Sequence, residues 1–237
     1  MAVKYQNVFR RVELKFLLTR TQKEAVLQGM EDHMALDKYG RTTIRNLYFD
    51  TDSYRLIRHS IEKPAYKEKL RLRSYEKVSN KGKVFVELKK KYKSVVYKRR
   101  LALPEAAAVA WLSGGESPAS CQIAREIDYF MDYYGTLKPR VFLSYEREAY
   151  YCKGGGDFRV TFDENIRCRR EELSLESEVW GTPILDEDLT LMEIKTAGGI
   201  PLWMTHLLTE QKIYKTSYSK YGTAYQKLFF KDVFLHV

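Results

Sequence analysis

Residues 67–73 read KEKLRLR, and the direction in which this stretch faces decides the fold. In an extended strand successive side chains point to opposite faces, so Lys67, Lys69, Arg71 and Arg73 share one side while Leu70 and Leu72 share the other. A strand on the surface of a sandwich would show those cations to water. A strand curled into a closed barrel would turn them inward. KEKLRLR alone fits both, and the other strands bear on the choice.

Seven more segments alternate with the same period of two. They are RRVELKFLL (10–18), TTIRNLYFD (42–50), KVFVELKKKY (83–92), SVVYKRRLAL (94–103), RVFLSYEREAYY (140–151), DFRVTFDENIRCR (157–169) and LTLMEIKT (189–196). With KEKLRLRSYEK (67–77) they make eight expected strands, and turn sequences such as SNKG and KGGGD suit antiparallel hairpins. Helices are expected between them. Thr21 with Glu24 reads as a capping box opening a helix over 22–34. Pro104 and Pro118 stand where first-turn prolines belong, Gly135 is a natural stop, and IPLWMTHLLTEQKIY and SYSKYGTAYQKLFF read as two further helices. The fold class is α+β, an antiparallel eight-stranded β-barrel with helices packed outside.

Parity extends the argument from one strand to all. Glu13 and Lys15 lie opposite Leu14 and Phe16, Arg45 opposite Ile44, Glu87 and Lys89 opposite Val86 and Leu88, and Lys98 and Arg100 opposite Tyr97. Arg147 shares a face with Tyr145, Arg159 and Asp163 oppose Val160 and Phe162, and Glu193 and Lys195 oppose Met192 and Ile194. A solvent face normally mixes Ser, Thr, Asn and Gln among charges of both signs. Here Arg and Lys recur on nearly every strand and the few acids stand two residues from a base. A barrel with an apolar outside and a cationic inside accounts for every strand at once. Guanidinium and ammonium groups converging from several directions suit a phosphate chain. Glu13, Glu87 and Glu193 are hard oxygen donors able to hold Mg²⁺ or Mn²⁺, and each is equally able to pair with its neighbour Lys15, Lys89 or Lys195.

The bulk properties narrow the classes. At 237 residues, 44% hydrophobic, the chain can bury a sizeable core as a single domain over 1–237. No apolar run reaches the roughly 18 residues of a membrane helix, and MAVKYQNVFRRVELKF lacks the pattern of a signal peptide, so a cytoplasmic protein is expected. Three cysteines without a C-x-x-C pair and four scattered histidines argue against a zinc site. The formal charge of +10 points to an anionic partner.

The runs VELKF, LYFDT, KLRLRSY, VFVELKKK, YKRR, SYEREAYY, RVTFDENIR, LMEIKT and SYSKY, in this order over residues 5–228, resemble the VTC (vacuolar transporter chaperone) polyphosphate polymerase domain. That domain belongs to the CYTH or triphosphate tunnel metalloenzyme superfamily. The resemblance implies a tunnel enzyme that moves the γ-phosphoryl group of ATP onto an inorganic polyphosphate chain, in a stand-alone, bacterial form. By motif it assigns Arg71, Arg73, Lys89, Lys98, Arg147 and Arg159 to catalysis by phosphate grip, and Lys15 and Lys220 to phosphate binding. Arg45, Lys69, Arg100, Lys195 and Ser219 join the phosphate-binding set. It makes Glu193 the metal-holding residue, with Glu87 and Glu13 beside it, and Mn²⁺ or Mg²⁺ the cofactor. The first strand carries Glu13-Leu14-Lys15 after Arg11 in place of the full E-x-E-x-K signature, which favours the polymerase branch over the hydrolytic and cyclase branches.

Two other functions fit the same residues. With water as acceptor the site would be a metal-dependent tripolyphosphatase or nucleoside triphosphatase. Without catalysis it would be a polyphosphate- or nucleic-acid-binding module, since basic strands rich in tyrosine suit single strands. Glutamates on the same strand faces would repel a nucleic-acid backbone, so ATP and polyphosphate are the expected partners, with no specific nucleic acid.

Overall fold

A computed structural model describes residues 8–79, 82–93 and 95–229. Among them eleven strands form one antiparallel sheet. The long strands are β1 (Val8–Thr19), β3 (Thr42–Asp50), β4 (Tyr66–Ser74), β5 (Lys83–Tyr92), β6 (Val95–Pro104), β7 (Lys138–Cys152), β8 (Arg159–Arg169) and β10 (Leu189–Thr196). All eight coincide with the segments read from period-two alternation. The expectation of eight strands is corrected by β2 (Met34–Leu36), β9 (Thr182–Pro183) and β11 (Lys215–Thr216), each too short to show a period. The path runs β2-β7-β3-β4-β5-β6-β1-β10-β8-β9, with β11 on β1, and β7 pairs with β8 as well as with β3.

The helices are α1 (Arg20–Met30), α2 (Arg55–Ile61), α3 (Glu105–Leu112), α4 (Gln122–Tyr134), α5 (Leu202–Glu210) and α6 (Lys220–Phe229). The first starts earlier than Thr21. Gln22 N donates to Thr19 Oγ1 (3.2 Å) and Thr19 N donates to Gln22 Oε1 (3.0 Å), so the capping box forms two residues upstream of the expected one. The helix ends at Met30, and Met34–Leu36 turns into β2 against β7. Pro104 closes β6 and caps α3 rather than opening it, and α4 begins at Gln122, not at Pro118. Gly135 ends α4 at φ 71°, in the left-handed region. Asn80 and Lys81 of the SNKG turn, Ser94, and Phe230 of the last expected helix lie outside the described residues.

Two apolar clusters cover one face of the sheet. Leu70, Leu72, Val84, Val86, Leu88 and Phe142 meet Trp111 of α3 and Ile127 and Phe130 of α4. Phe16, Leu18, Val160, Phe162, Met192 and Ile194 meet Val26 and Met30 of α1 and Met204 of α5. These are the side chains that alternation sets opposite the charges. A third cluster lies on the charged face itself, where Ile44, Tyr48, Leu143 and Tyr145 pack on Tyr221, Ala224 and Tyr225 of α6.

Asp50, fully buried at the end of β3, fixes that third cluster. Its Oδ1 accepts from Thr51 N and Leu56 N, and its Oδ2 accepts from Ile57 N (3.0 Å) and the Tyr221 hydroxyl (3.0 Å). One carboxylate thus serves the start of α2 and anchors α6. Burial pushes its pKa up while these four donors pull it down, and burial prevails. Asp50→Ala leaves several buried donors unmet, each costing about 1–3 kcal/mol. The variant is expected to lose about 3 kcal/mol or more in a denaturant melt, and a loss under about 1 kcal/mol would contradict this role.

Candidate active site

The charged face is partly closed to solvent, with Arg73 and Lys220 buried and the other cations half-buried. Ten cations stand on it: Lys15 (β1), Lys69, Arg71 and Arg73 (β4), Lys89 (β5), Lys98 and Arg100 (β6), Arg147 (β7), Lys195 (β10) and Lys220 (α6). Four carboxylates stand among them: Glu13, Glu87, Asp163 and Glu193. Ser219 is there too, its Oγ accepting from Lys69 Nζ at 3.0 Å.

Glu87 is the centre of one half. In register it lies between Arg71 of β4 and Arg100 of β6. Arg71 donates to it through Nε (2.8 Å) with Nη2 2.7 Å from the same oxygen, Arg100 donates through Nε (2.8 Å), and Lys98 Nζ sits at 2.7 Å. Its side chain is 1% exposed. Burial alone would raise its pKa, but Lys98, Arg73, Arg71 and Arg100 hold it well below the ordinary glutamate range. Arg71 also donates to the Tyr48 hydroxyl (2.9 Å), and Arg73 to Asn46 Oδ1 and the Tyr145 hydroxyl (both 2.9 Å).

The other half is built by diagonal neighbours on β1, β10 and β8. Glu13 faces Lys195, Lys15 faces Glu193, Glu193 faces Thr161, and Asp163 stands one pair further along β8. Glu13, Glu193 and Asp163 therefore run obliquely across three strands with cations between them. Arg147 grips Asp163 with two hydrogen bonds (2.5 and 2.6 Å). Lys220 Nζ bridges Asp163 (2.5 Å) and Glu193 (2.9 Å), Lys195 Nζ lies 3.0 Å from Glu193, and Lys89 Nζ lies 2.6 Å from Glu13. Burial pushes the Glu193 pKa up, yet Lys220, Lys195, Lys15 and Arg147 bring it well below the ordinary range. Glu13, opposed by burial and drawn down chiefly by Lys89, falls to about 2.

The cations divide. Against burial, neighbouring carboxylates and tyrosine hydroxyls hold Arg71, Arg100, Arg147 and Lys220 above their ordinary values. Burial carries Lys15, Lys69, Lys98 and Lys195 below theirs. Burial lowers the Lys15 pKa to about 8 despite Glu193. Lys69 is pushed well below the lysine range by burial, and Lys15, Lys89, Lys67 and Arg71 all push the same way. These are ammonium groups facing other cations. At about 4 Å and an effective dielectric near 20, two like charges repel by about 4 kcal/mol, so an anion entering here relieves a stored cost.

Two expected site residues stand apart. Arg159 shares the parity of this face, opposite Lys195, but its side chain is exposed. Arg45 is on the other face, and its assignment to the phosphate-binding set is corrected. In β3 the charged side is occupied by Ile44, Asn46 and Tyr48, because α6 packs there, and Arg45 falls on the side of Leu47 and Phe49. Parity alone places Asp163 on this face. Its role as the bidentate partner of Arg147 depends on the register of β7 against β8, which no local pattern encodes.

The carboxylates expected to hold Mg²⁺ or Mn²⁺ do not form a metal cage. Among the described residues no three Asp, Glu, His or Cys side chains converge on a point that could hold an ion. Glu87 and Glu193 spend both oxygens on ammonium and guanidinium groups, and Glu13 spends Oε2 on Lys89.

The VTC domain family matches residues 10–229. The chain belongs to this family. No curated protein matches it by sequence. Among solved structures, a candidate adenylate cyclase from Bacillus halodurans superposes with a TM-score of 0.60 at 16% identity, over 95% of this chain and 100% of that one. At this identity the likeness shows the fold alone. PH1819 from Pyrococcus horikoshii (TM-score 0.46, 14% identity, 92% and 99% covered) and a candidate adenylate cyclase from Vibrio parahaemolyticus (TM-score 0.45, 12% identity, 93% and 98% covered) are more distant. In this VTC domain no described helix is long and apolar enough to cross a membrane.

Removing Glu87 tests the electrostatic frame. Glu87→Gln leaves Arg71, Arg73, Lys98 and Arg100 facing one another, and is expected to cost about 3–5 kcal/mol in a denaturant melt, part of it recovered by tripolyphosphate. A variant within about 0.5 kcal/mol of wild type would refute the frame. A carboxyl depressed on folding stabilises above its unfolded pKa. Wild-type stability should therefore fall as pH drops from 4.5, the ordinary glutamate value, towards the 2 of Glu13.

Proposed function

We propose that this VTC domain is a polyphosphate polymerase, transferring the γ-phosphoryl group of ATP to the end of an inorganic polyphosphate chain. The observation that supports it is the charged face itself, with ten cations against four carboxylates drawn from seven strands and one helix. The circuit of pairings through β7, β3, β4, β5, β6, β1, β10 and β8 supports a tunnel of eight long strands around that face. Residues 1–237 would act as one catalytic unit, and the cytoplasm, which holds ATP, is the compartment we assign.

In this reading Arg71, Arg73, Lys89, Lys98 and Arg147 hold donor and acceptor phosphates in line, with Lys15, Lys69, Arg100, Lys195, Ser219 and Lys220 extending the track. Arg159, exposed at the rim, draws the chain in. The bond from γ-phosphorus to the bridging oxygen breaks, a terminal oxygen of the chain bonds to phosphorus, and ADP leaves with the electron pair. The acceptor is already anionic, so no general base is needed. Phosphoryl transfer passes through a loose transition state in which positioning and charge neutralisation supply most of the acceleration. Fixed guanidinium groups do both. Mg²⁺ or Mn²⁺ is the cofactor the family resemblance implies. The transfer proposed here is carried by this chain's cations, with no step routed through a metal.

Purified protein incubated with ATP and divalent metal should yield long chains on a gel together with ADP. Free phosphate without chains would replace this reading with a triphosphatase. Arg71→Ala should abolish product with the fold intact, and unchanged chain synthesis would overturn its assignment.

The low Lys15 pKa gives a second check. In the free protein Lys15 loses its proton near pH 8, so above that pH a bound polyanion must bring a proton with it. Affinity for tripolyphosphate should decline by up to about tenfold per pH unit per proton from about pH 8 upward, and Lys15→Arg, which keeps its charge, should make the decline shallower. Affinity unchanged from about pH 7 to about pH 10 would contradict it.

A further inference from the structure

On the apolar side of the sheet, α2, α4, the start of β4 and the end of β5 line a groove of about 700 Å³. Glu68 and Lys90, paired in register, form its floor. Parity sets them with Leu70 and Leu88, opposite Lys69 and Lys89, so the groove and the cationic face lie on different sides of the sheet. Its size falls within the roughly 300–1,000 Å³ of small-molecule sites.

Three contacts fix the walls before anything binds. Asp50 accepts from Leu56 N and Ile57 N, which holds α2 to the sheet. Ile127 and Phe130 sink α4 into the core. Glu68 ties strand to helix by accepting from the Tyr66 hydroxyl (2.6 Å) and the Tyr134 hydroxyl (3.1 Å). Burial and Glu68 push both phenol pKa values up, so both groups remain donors. A groove held in this way needs little ordering when a ligand enters.

The lining combines cations without counter-charge and aromatic rings. Arg55 and Arg58 of α2 both line the groove, and neither forms an ion pair or a side-chain hydrogen bond among the described residues. The Arg55 guanidinium lies 5.3 Å from the ring centre of Tyr134 and 5.8 Å from that of Tyr133. Tyr129 and Tyr133 stand in nearly parallel planes 6.5 Å apart and are 70% and 59% exposed. Inorganic phosphate or a polyphosphate would meet the arginines, but it would also meet Glu62 and Glu68 and leave the rings unused. An uncharged aromatic compound would leave both guanidinium groups unanswered. A nucleoside monophosphate uses every part: its base has a face for tyrosine, its phosphate suits arginine, and its ribose hydroxyls suit the Glu62 carboxylate.

We propose that the groove between α2 and α4 binds a nucleoside monophosphate, stacked on Tyr129 and Tyr133 and paired with Arg55 and Arg58, at a site separate from the cationic face. The inference does not rest on the polymerase reading.

The test is calorimetric titration of the full chain with AMP. Saturable binding is expected, and inorganic phosphate or adenosine, each offering one half of the ligand, should bind at least about tenfold more weakly. Arg58→Ala and Tyr129→Ala alter exposed side chains outside the core, so the fold should stand, and each should weaken AMP binding about tenfold. Arg71→Ala, on the cationic face, should bind AMP as wild type does. Absence of saturable AMP binding would overturn the proposal. So would inorganic phosphate that binds as tightly as AMP, which would make the groove a plain anion site. AMP binding lost in Arg71→Ala but kept in Arg58→Ala and Tyr129→Ala would put the nucleotide on the cationic face and overturn it as well.

Discussion

Glu87 receives Arg71, Arg100 and Lys98 within 2.8 Å, on three adjacent strands, at a point almost closed to solvent. A lone carboxylate could not be buried at tolerable cost, and neither could those cations without it. Each makes the other possible, and the strand order β4-β5-β6 is what brings them together. The same constraint repeats at Glu193 and Asp163, where Lys220 and Arg147 provide the counter-charge. In both halves the carboxylates are outnumbered. The face is stable enough to fold and still electrostatically unsatisfied, the condition under which a polyanion binds strongly and is held in a fixed line.

The aromatic cluster at α6 ties this arrangement to the rest of the fold. Tyr221 stacks on Tyr48 at 4.4 Å between ring centres, and its hydroxyl is held by Asp50, which also starts α2. Lys220 is the residue immediately before Tyr221, so the packing that seats the tyrosine also delivers the ammonium group to Asp163 and Glu193. Ser219 and the Tyr218 carbonyl, which accept from Lys69 and Lys15, come from the same approach to the helix. A helix laid on the charged face thus both closes part of it and supplies the site.

Much of this was legible in the residues because alternation is a local property. The parity of KEKLRLR, VFVELKKKY and LTLMEIKT correctly separated Arg71, Glu87 and Glu193 from the leucines and valines behind them. Parity sorts side chains into two sets but does not say which set faces which way. Arg45 was misassigned for that reason: in β3 the side shared with the cations is apolar, because α6 packs on it, and that contact joins residues far apart in the chain. The capping box at Thr19 was displaced because the same S/T-x-x-E/Q pattern occurs twice within three residues. Helix α2, seven residues whose N-cap Tyr54 makes no side-chain capping bond, and the strands β2, β9 and β11 fall below the length at which periodicity can be read. The Arg147–Asp163 pair required a register, which is set only when the sheet assembles.

The most direct measurement of the central claim is phosphorus-31 NMR of tripolyphosphate titrated with the protein. Ten cations gathered on one face of the sheet predict a saturable one-to-one complex in which the terminal and central phosphorus resonances both shift, and in which Glu87, Arg71 and Arg147 variants weaken binding. Tripolyphosphate resonances that stay unchanged at saturating protein would contradict it.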